Sequence, residues 1–217
     1  MSKPGAIFDM DGLMFDTEHM YQEIWHQLAE ERNMVLPETF AKEISGTSGE
    51  LMYGFLRKYY PEDDPVLLAA ECKRRIAERL KQDVPMKPGL RELLEFLKEN
   101  HVRMIVASST AEEVIRSNLR VSDTMQYFDH VISGADLSHS KPAPDIFLLA
   151  AEVIGLAPED CYVLEDSVNG VLAGLAAGCK TIMVPDYMPP TEAILHSDAV
   201  ICSSLLEVLQ QMKEGQI

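Results

Sequence analysis

The stretch GAIFDMDGLMFDTE, Gly5 to Glu18, runs from a glycine through three apolar residues to Asp9, sets a second acid at Asp11 and follows it at once with Gly12. A short, continuous apolar run bounded in this way reads as a strand buried on both faces, the kind that parallel sheets contain. Two carboxylates at i and i+2 of such a chain repel each other and bury poorly, so something else must compensate them. A calcium loop of the D-x-D-x-D-G type does not account for them. Its fifth position falls on Leu13, its glycine on Met14 and its terminal glutamate on Met20. A plain acidic turn also fits less well, because hydrated turns seldom follow a buried strand.

Four further runs share this character: VRMIVASS (102–109), HVISG (130–134), CYVLED (161–166) and KTIMVPD (180–186). Helical periods accompany them in GLRELLEFLKEN, AEEVIRSNL, APDIFLLAAEVIG and VNGVLAGLAAG. Alternating strand and helix predicts an α/β fold with a doubly wound parallel sheet. In such folds ligands bind at the carboxyl ends of the strands, here Asp9, Ser108 with Ser109, Gly134, and Glu165 with Asp166.

One segment breaks the alternation. Between Asp16 and Pro88 the patterns EHMYQEIWHQLAEERN, GELMYGFLRKYY and PVLLAAECKRRIAERLKQD are helical, with no convincing strand. A run of about 70 residues is too long for a crossover connection. It predicts an all-helical domain over 16–87, inserted into a core made of 1–15 and 88–217; a swollen connection lying on the same core is the alternative. Lys213 to Ile217 reads as a frayed tail.

Composition narrows the chemistry. The 217 residues are 47% apolar and 25% charged, with a formal net charge of −16. A surface that acidic repels polyanions, which argues against nucleic acid and anionic membrane as partners but leaves room for a small phosphorylated ligand in one local positive site. Cys72, Cys161, Cys179 and Cys202 show no C-x-x-C spacing, which suits a reducing cytosol better than a disulfide framework or a zinc knuckle. Neither a signal peptide nor a bilayer-spanning run is expected, since the stretch NGVLAGLAAGCKTIMV is interrupted by Lys180. A cytoplasmic, monomeric protein is the expectation.

Four stations carry the candidate chemistry. If the strands ending at Asp9 and at Glu165–Asp166 are neighbours, up to four carboxylates converge. Two unit charges about 4 Å apart repel by roughly 4 kcal/mol at an effective dielectric of about 20. A cation would relieve this, and oxygen ligands without histidine or cysteine select Mg²⁺ over zinc. The third station is SKPAPDIF, where Pro142 and Pro144 restrict the backbone around Lys141, a point charge suited to phosphate. In isolation it would be an ordinary solvated lysine. The fourth is VASST, where Ser108 and helix-start amides make an anion cradle; the ordinary alternative is an N-cap supplied by Ser109 or Thr110.

The ordered set D-M-D-G, then a hydroxyl, then a lysine, then an acidic pair resembles the haloacid dehalogenase superfamily, in particular its phosphatase and beta-phosphoglucomutase-like branch with a helical cap inserted after the first motif. The resemblance spans essentially the whole chain and implies a Rossmann-like core. It implies that Asp9 attacks phosphorus to give an aspartyl-phosphate, and that Asp11 is the general acid and then the base. It implies Mg²⁺ held by Asp9, the backbone carbonyl of Asp11 and Asp166, with Glu165 in or beside that shell. Ser108, the amide of Ser109 and Lys141 would hold the phosphoryl oxygens. Gly12, lacking a Cβ, would let the chain come close to the phosphate.

Two departures bear on the acceptor. The sugar mutases of this branch carry a cap arginine after a G-x-S turn, and here SGTSGEL puts Gly49 in that place. They also carry a histidine where this chain has Tyr21, with His19 two residues earlier and Glu18 completing D-T-E. Losing a bidentate phosphate anchor fits a bisphosphate intermediate poorly, so water is the expected acceptor. A phosphosugar mutase is the runner-up and a catalytically degenerate binding protein comes third. In the cap, Lys58 and the run Lys73, Arg74, Arg75 read as a solvated helix face, and Tyr21 with Trp25 as cap core or pocket lining.

Overall fold

A computed structural model of the chain describes residues 4–45, 47 and 49–217. They fall into two compact units, Met1–Asp16 with Pro85–Ile217, and Thr17–Val84. Residues 85–87, which the helical reading assigns to the insert, lie with the first unit for a backbone reason. Phe15 bridges antiparallel to Met86, the amide of Asp16 donates to the carbonyl of Pro85 at 2.8 Å, and that of Lys87 donates to Met14 at 2.9 Å.

The first unit holds a six-stranded, fully parallel sheet in the order β3-β2-β1-β4-β5-β6. Its strands are β1 (Gly5–Phe8), β2 (Arg103–Ser108), β3 (His130–Ser133), β4 (Cys161–Glu165), β5 (Lys180–Met183) and β6 (Val200–Ile201). With its helices this is the expected Rossmann-like α/β fold. The chain order reverses between β1 and β4, whose registers pair Phe8 with Leu164. Such a switch point leaves a crevice beyond the strand ends, and the acids that follow β1 and β4 stand at it.

Every residue of β1 is fully buried, as its unbroken apolar run requires. On one face Ile7, Ile105, Ala107 and Val163 pack with Ile146, Phe147 and Ala150 of α7 (Asp145–Val153) and Ala173 of α8 (Val168–Ala176). Helix α5 (Leu90–Glu99) packs on β2 and against α10 (Leu205–Glu214), α6 (Glu112–Val121) packs on β3, and the short α9 (Glu192–Leu195) packs on α8.

Two sequence expectations change. The sixth strand has no counterpart in the apolar pattern, because it is two half-buried residues at the sheet edge. The tail from Lys213 is helical as far as Glu214, since α10 ends in an ordered cap: Gly215 adopts φ +67 and its amide donates to Gln211 and Met212 carbonyls. Only the last residues, 215–217, follow the helix.

The second unit is all helical: α1 (Thr17–Glu30), α2 (Thr39–Ile44), α3 (Gly49–Tyr59) and α4 (Pro65–Leu80). Trp25, Phe40 and Tyr60 form its aromatic centre, with ring centroids 6.2 Å apart, and the Tyr60 hydroxyl donates to the Trp25 carbonyl at 2.7 Å. Trp25 is thus core, buried to 3% exposure. Asp64 caps α4 by accepting from the amides of Val66 and Leu67, with Pro65 at the first helical position. On the surface of α4, Arg74 pairs with Glu71 and Glu78 and Arg75 with Glu71 and Glu31; Lys58 of α3 pairs with Glu43. Gly49 opens α3 at φ +56, while Gly46 and Ser48 of the same turn lie outside the described residues.

Candidate active site

Asp9 follows β1, and its own amide donates to the Leu164 carbonyl of β4 at 3.0 Å. The chain then coils tightly: Met14 and Phe15 both donate to the Met10 carbonyl, and Gly12 donates to Phe15 at 3.0 Å. Gly12 takes φ +81 in this coil, and a Cβ on it would stand 2.2 Å from Oδ2 of Asp166. Glycine is required there twice over, for the left-handed backbone and for the close approach of a carboxylate.

From β4 come Glu165 and Asp166. One oxygen each of Asp9, Glu165 and Asp166 lie within 4.8 Å of one another. Glu165 is 1% exposed, and its carboxylate is fully engaged: Oε2 accepts from the amide and hydroxyl of Ser167, both at 2.9 Å, and Oε1 accepts from Lys141 Nζ at 2.6 Å. Ser167 is also the N-cap of α8, accepting from the Gly170 amide. Gly170 makes room for this, since a Cβ on it would meet Glu165 Oε1 at 1.8 Å.

Lys141 precedes α7, and its peptide to Pro142 is cis. Its side chain is 9% exposed, so the solvated alternative does not apply. The ammonium bridges Asp9 Oδ1 at 2.5 Å and Glu165 Oε1 at 2.6 Å, and sits 5.0 Å from the centroid of the Phe147 ring.

These distances set the electrostatics. Burial pushes the Asp9 carboxyl up to about 7; Lys141 works against this, while Glu165 and, less, Asp11 add to it. Burial likewise holds Asp166 well above the carboxylate range, with the charges of Glu165 and Asp9 adding to it. Burial alone would lower Lys141, but the charges of Asp9 and Glu165 and the bonds to both outweigh it and hold the ammonium above its usual range. One lysine therefore bridges two buried acids, with the half-buried Asp166 beside them. The donor set is all carboxylate oxygen, without imidazole or thiolate, which fits a hard divalent cation.

The hydroxyl station differs in detail from its sequence reading. Ser108 closes β2, buried to 2% exposure, and its Oγ accepts from the Thr110 amide at 3.1 Å. Ser109 is exposed. Helix α6 starts only at Glu112, with Ala111 at its N-cap, so neither Ser109 nor Thr110 is that cap. Thr110 instead donates its hydroxyl to Asp11 Oδ2 at 2.7 Å. The sequence shows three consecutive hydroxyls, Ser108 to Thr110, at the end of β2 but not which one turns toward the acids. Ser133, Ser167 and Gly170 are equally silent as isolated letters.

The arrangement offers two carboxylates on one loop, a buried ammonium against one of them and a hydroxyl against the other. A family model described as "Haloacid dehalogenase-like hydrolase" matches residues 6–184. The phosphorylated carbohydrates phosphatase of Thermotoga maritima is 34% identical over 215 residues, 96% of this chain and 98% of that protein. Hexitol phosphatase B of Escherichia coli (strain K12) is 30% identical over 190 residues, 83% of this chain and 82% of its own length. Among solved structures, a HAD family hydrolase from Deinococcus radiodurans R1 with bound phosphate and sodium superposes with TM-score 0.82 at 25% identity, covering 99% of this chain and 96% of that one.

Proposed function

Since the chain belongs to the haloacid dehalogenase-like hydrolases and is a hydrolase, we propose that it removes phosphate from a small phosphorylated metabolite of the sugar-phosphate kind through a covalent aspartyl-phosphate. The observation that carries this is the Lys141 ammonium bridging Asp9 and Glu165 at 2.5 and 2.6 Å beside Asp166.

A phosphate dianion about 4 Å from a carboxylate meets on the order of 8 kcal/mol of repulsion at an effective dielectric of about 20. Lys141 offsets part of it. Asp9, the Asp11 carbonyl and Asp166 would hold a magnesium ion, with Glu165 beside them. When bound, that ion supplies further neutralisation of phosphate charge and polarises the phosphoryl oxygens.

The chain's own groups then divide the work. Lys141, the Ser108 hydroxyl and the Ser109 amide bind phosphoryl oxygens. An Asp9 carboxylate oxygen attacks phosphorus as the bond to the ester oxygen breaks, and Asp11 gives its proton to that departing oxygen. Water then attacks phosphorus and yields a proton to Asp11, which releases inorganic phosphate and restores Asp9. Glu165, tied to both Ser167 and Lys141, holds the ammonium in place. Gly49, standing where mutases carry a phosphate-anchoring arginine, supports water rather than a sugar as acceptor.

Replacing Asp9 by Asn leaves the shape and removes the nucleophile. Asp9→Asn is expected to lower kcat on phosphomonoesters at least a thousandfold with an unchanged circular dichroism spectrum. Full turnover by that variant would refute the assignment. Transfer of phosphate between positions of a sugar, supplied as beta-glucose 1-phosphate with glucose 1,6-bisphosphate, would instead show a mutase.

A further inference from the structure

Thr110 stands outside the roles assigned so far, yet it is held at three points. Its amide donates to Ser108 Oγ at 3.1 Å, its carbonyl accepts from Ser133 Oγ at 2.8 Å, and its hydroxyl donates to Asp11 Oδ2 at 2.7 Å. The first two contacts fix the loop after β2 to the end of β2, a buried interior strand, and to the end of β3, the strand paired beside it. The third reaches across to the loop after β1. A β-branched side chain has few χ1 choices, so a backbone pinned on both sides aims the hydroxyl narrowly.

We infer that Thr110 is the positioning residue for the proton transfers of Asp11, holding its carboxyl plane toward the reacting group. The contact at 2.7 Å ties one carboxyl oxygen of Asp11 to a loop that is itself pinned at both ends. During ester cleavage the acid O–H bond of Asp11 breaks, its electron pair stays on the carboxylate, and the proton joins the departing oxygen as the P–O bond opens. In the second half-reaction the attacking water returns a proton to Asp11. This rests on the hydrolase reading above and assigns a residue that the reading does not contain.

The chemistry supplies a test that separates positioning from general damage. An alkyl phosphate leaves as a strongly basic alkoxide and needs the proton in the transition state. An aryl ester such as p-nitrophenyl phosphate leaves as a stable phenolate and does not. Comparing kcat/KM confines the measurement to steps up to release of the first product. Thr110→Val keeps the shape and removes the hydroxyl; Thr110→Ser keeps it; Thr110→Ala checks that the effect does not come from the valine methyl. We expect Thr110→Val and Thr110→Ala to lose about a hundredfold in kcat/KM on a sugar phosphate, the lower end of what general acid catalysis contributes. On p-nitrophenyl phosphate the loss stays within about threefold, and Thr110→Ser recovers most of the sugar-phosphate activity. Mg²⁺ affinity, followed by titration calorimetry on the same variants, is expected to stay unchanged. Equal losses on both esters, no loss on either, or a parallel loss of Mg²⁺ affinity overturn the inference while leaving the hydrolase reading intact. If the wild-type protein cleaves neither ester, the hydrolase reading falls first, and the role of Thr110 with it.

Discussion

Gly12 shows how one missing carbon governs the site. Its φ of +81 suits the tight coil after Asp9, and the space where a Cβ would stand is filled by the Asp166 carboxylate, 2.2 Å from the ideal position. An alanine there would have to displace that carboxylate or open the coil, and its backbone would be strained as well. Gly12→Ala is therefore expected to weaken Mg²⁺ binding at least tenfold in a calorimetric titration, and to cost about 1–2 kcal/mol of stability from the left-handed backbone. Wild-type affinity in that variant would mean that Asp166 takes no part in holding the ion. The pair Gly170 and Glu165 repeats the device for a different end: the glycine lets a buried glutamate settle against the start of α8, where Ser167 and Lys141 engage both its oxygens. From the sequence alone Glu165 belongs equally to the cation and to its surroundings. The geometry favours the surroundings, because each of its oxygens already accepts a hydrogen bond.

Between elements, the crossing of chain at the rim of the first unit is tied by one lysine. Lys87 Nζ donates to Asp16 Oδ1 and Asp186 Oδ1, both at 2.8 Å, joining the segment before α1, the segment after Val84 and the loop after β5. Burial alone would lower this lysine, and the hydrogen bonds to the two acids more than offset it, holding it above its usual range. Asp186 Oδ2 is already buried without a partner. Lys87→Met would leave the whole Asp186 carboxylate unpaired, a loss of about 1–3 kcal/mol. A melting temperature lowered by several degrees is the expected result; an unchanged one would show that the two acids are satisfied without the lysine. This lysine gave no sequence signal, since one cation before a Pro-Gly pair resembles any surface residue. Strands β1, β2, β4 and β5 were legible because being buried on both faces demands an unbroken apolar run, and Asp9, Ser108, Glu165 and Asp166 were legible because they stand where those runs stop. What stayed hidden was contact made across loops: Thr110 with Asp11, Lys87 with Asp186, and an edge strand too short and too exposed to need an apolar pattern.

Across the whole molecule the charge balance of −16 sets the terms on which the site operates. No helix among the described residues is long and apolar enough to cross a membrane. Acids outnumber bases 35 to 19, and at the switch point Asp9 and Glu165 are buried against a single ammonium with the half-buried Asp166 beside them. The consequence is a defined pH response. Asp9 has an ordinary value of 3.8 and is pushed up to about 7 by burial, and Asp166 moves the same way. Between those limits the folded metal-free chain holds protons that the unfolded chain has already released. Stability therefore falls as pH rises through that window, and levels off once both states are deprotonated. Lys141, held above its usual range, keeps its charge throughout and adds no slope. A divalent ion binds the deprotonated acids and stabilises the folded chain by mass action, so its benefit must grow across the same interval. The rise in melting temperature on adding saturating Mg²⁺ is expected to be several degrees greater at pH 8 than at pH 5.5, with Ca²⁺-free buffers at matched ionic strength. Equal gains at the two pH values would mean that the ion does not displace protons from these carboxylates, and hence that the cluster of Asp9, Glu165 and Asp166 is not where it binds.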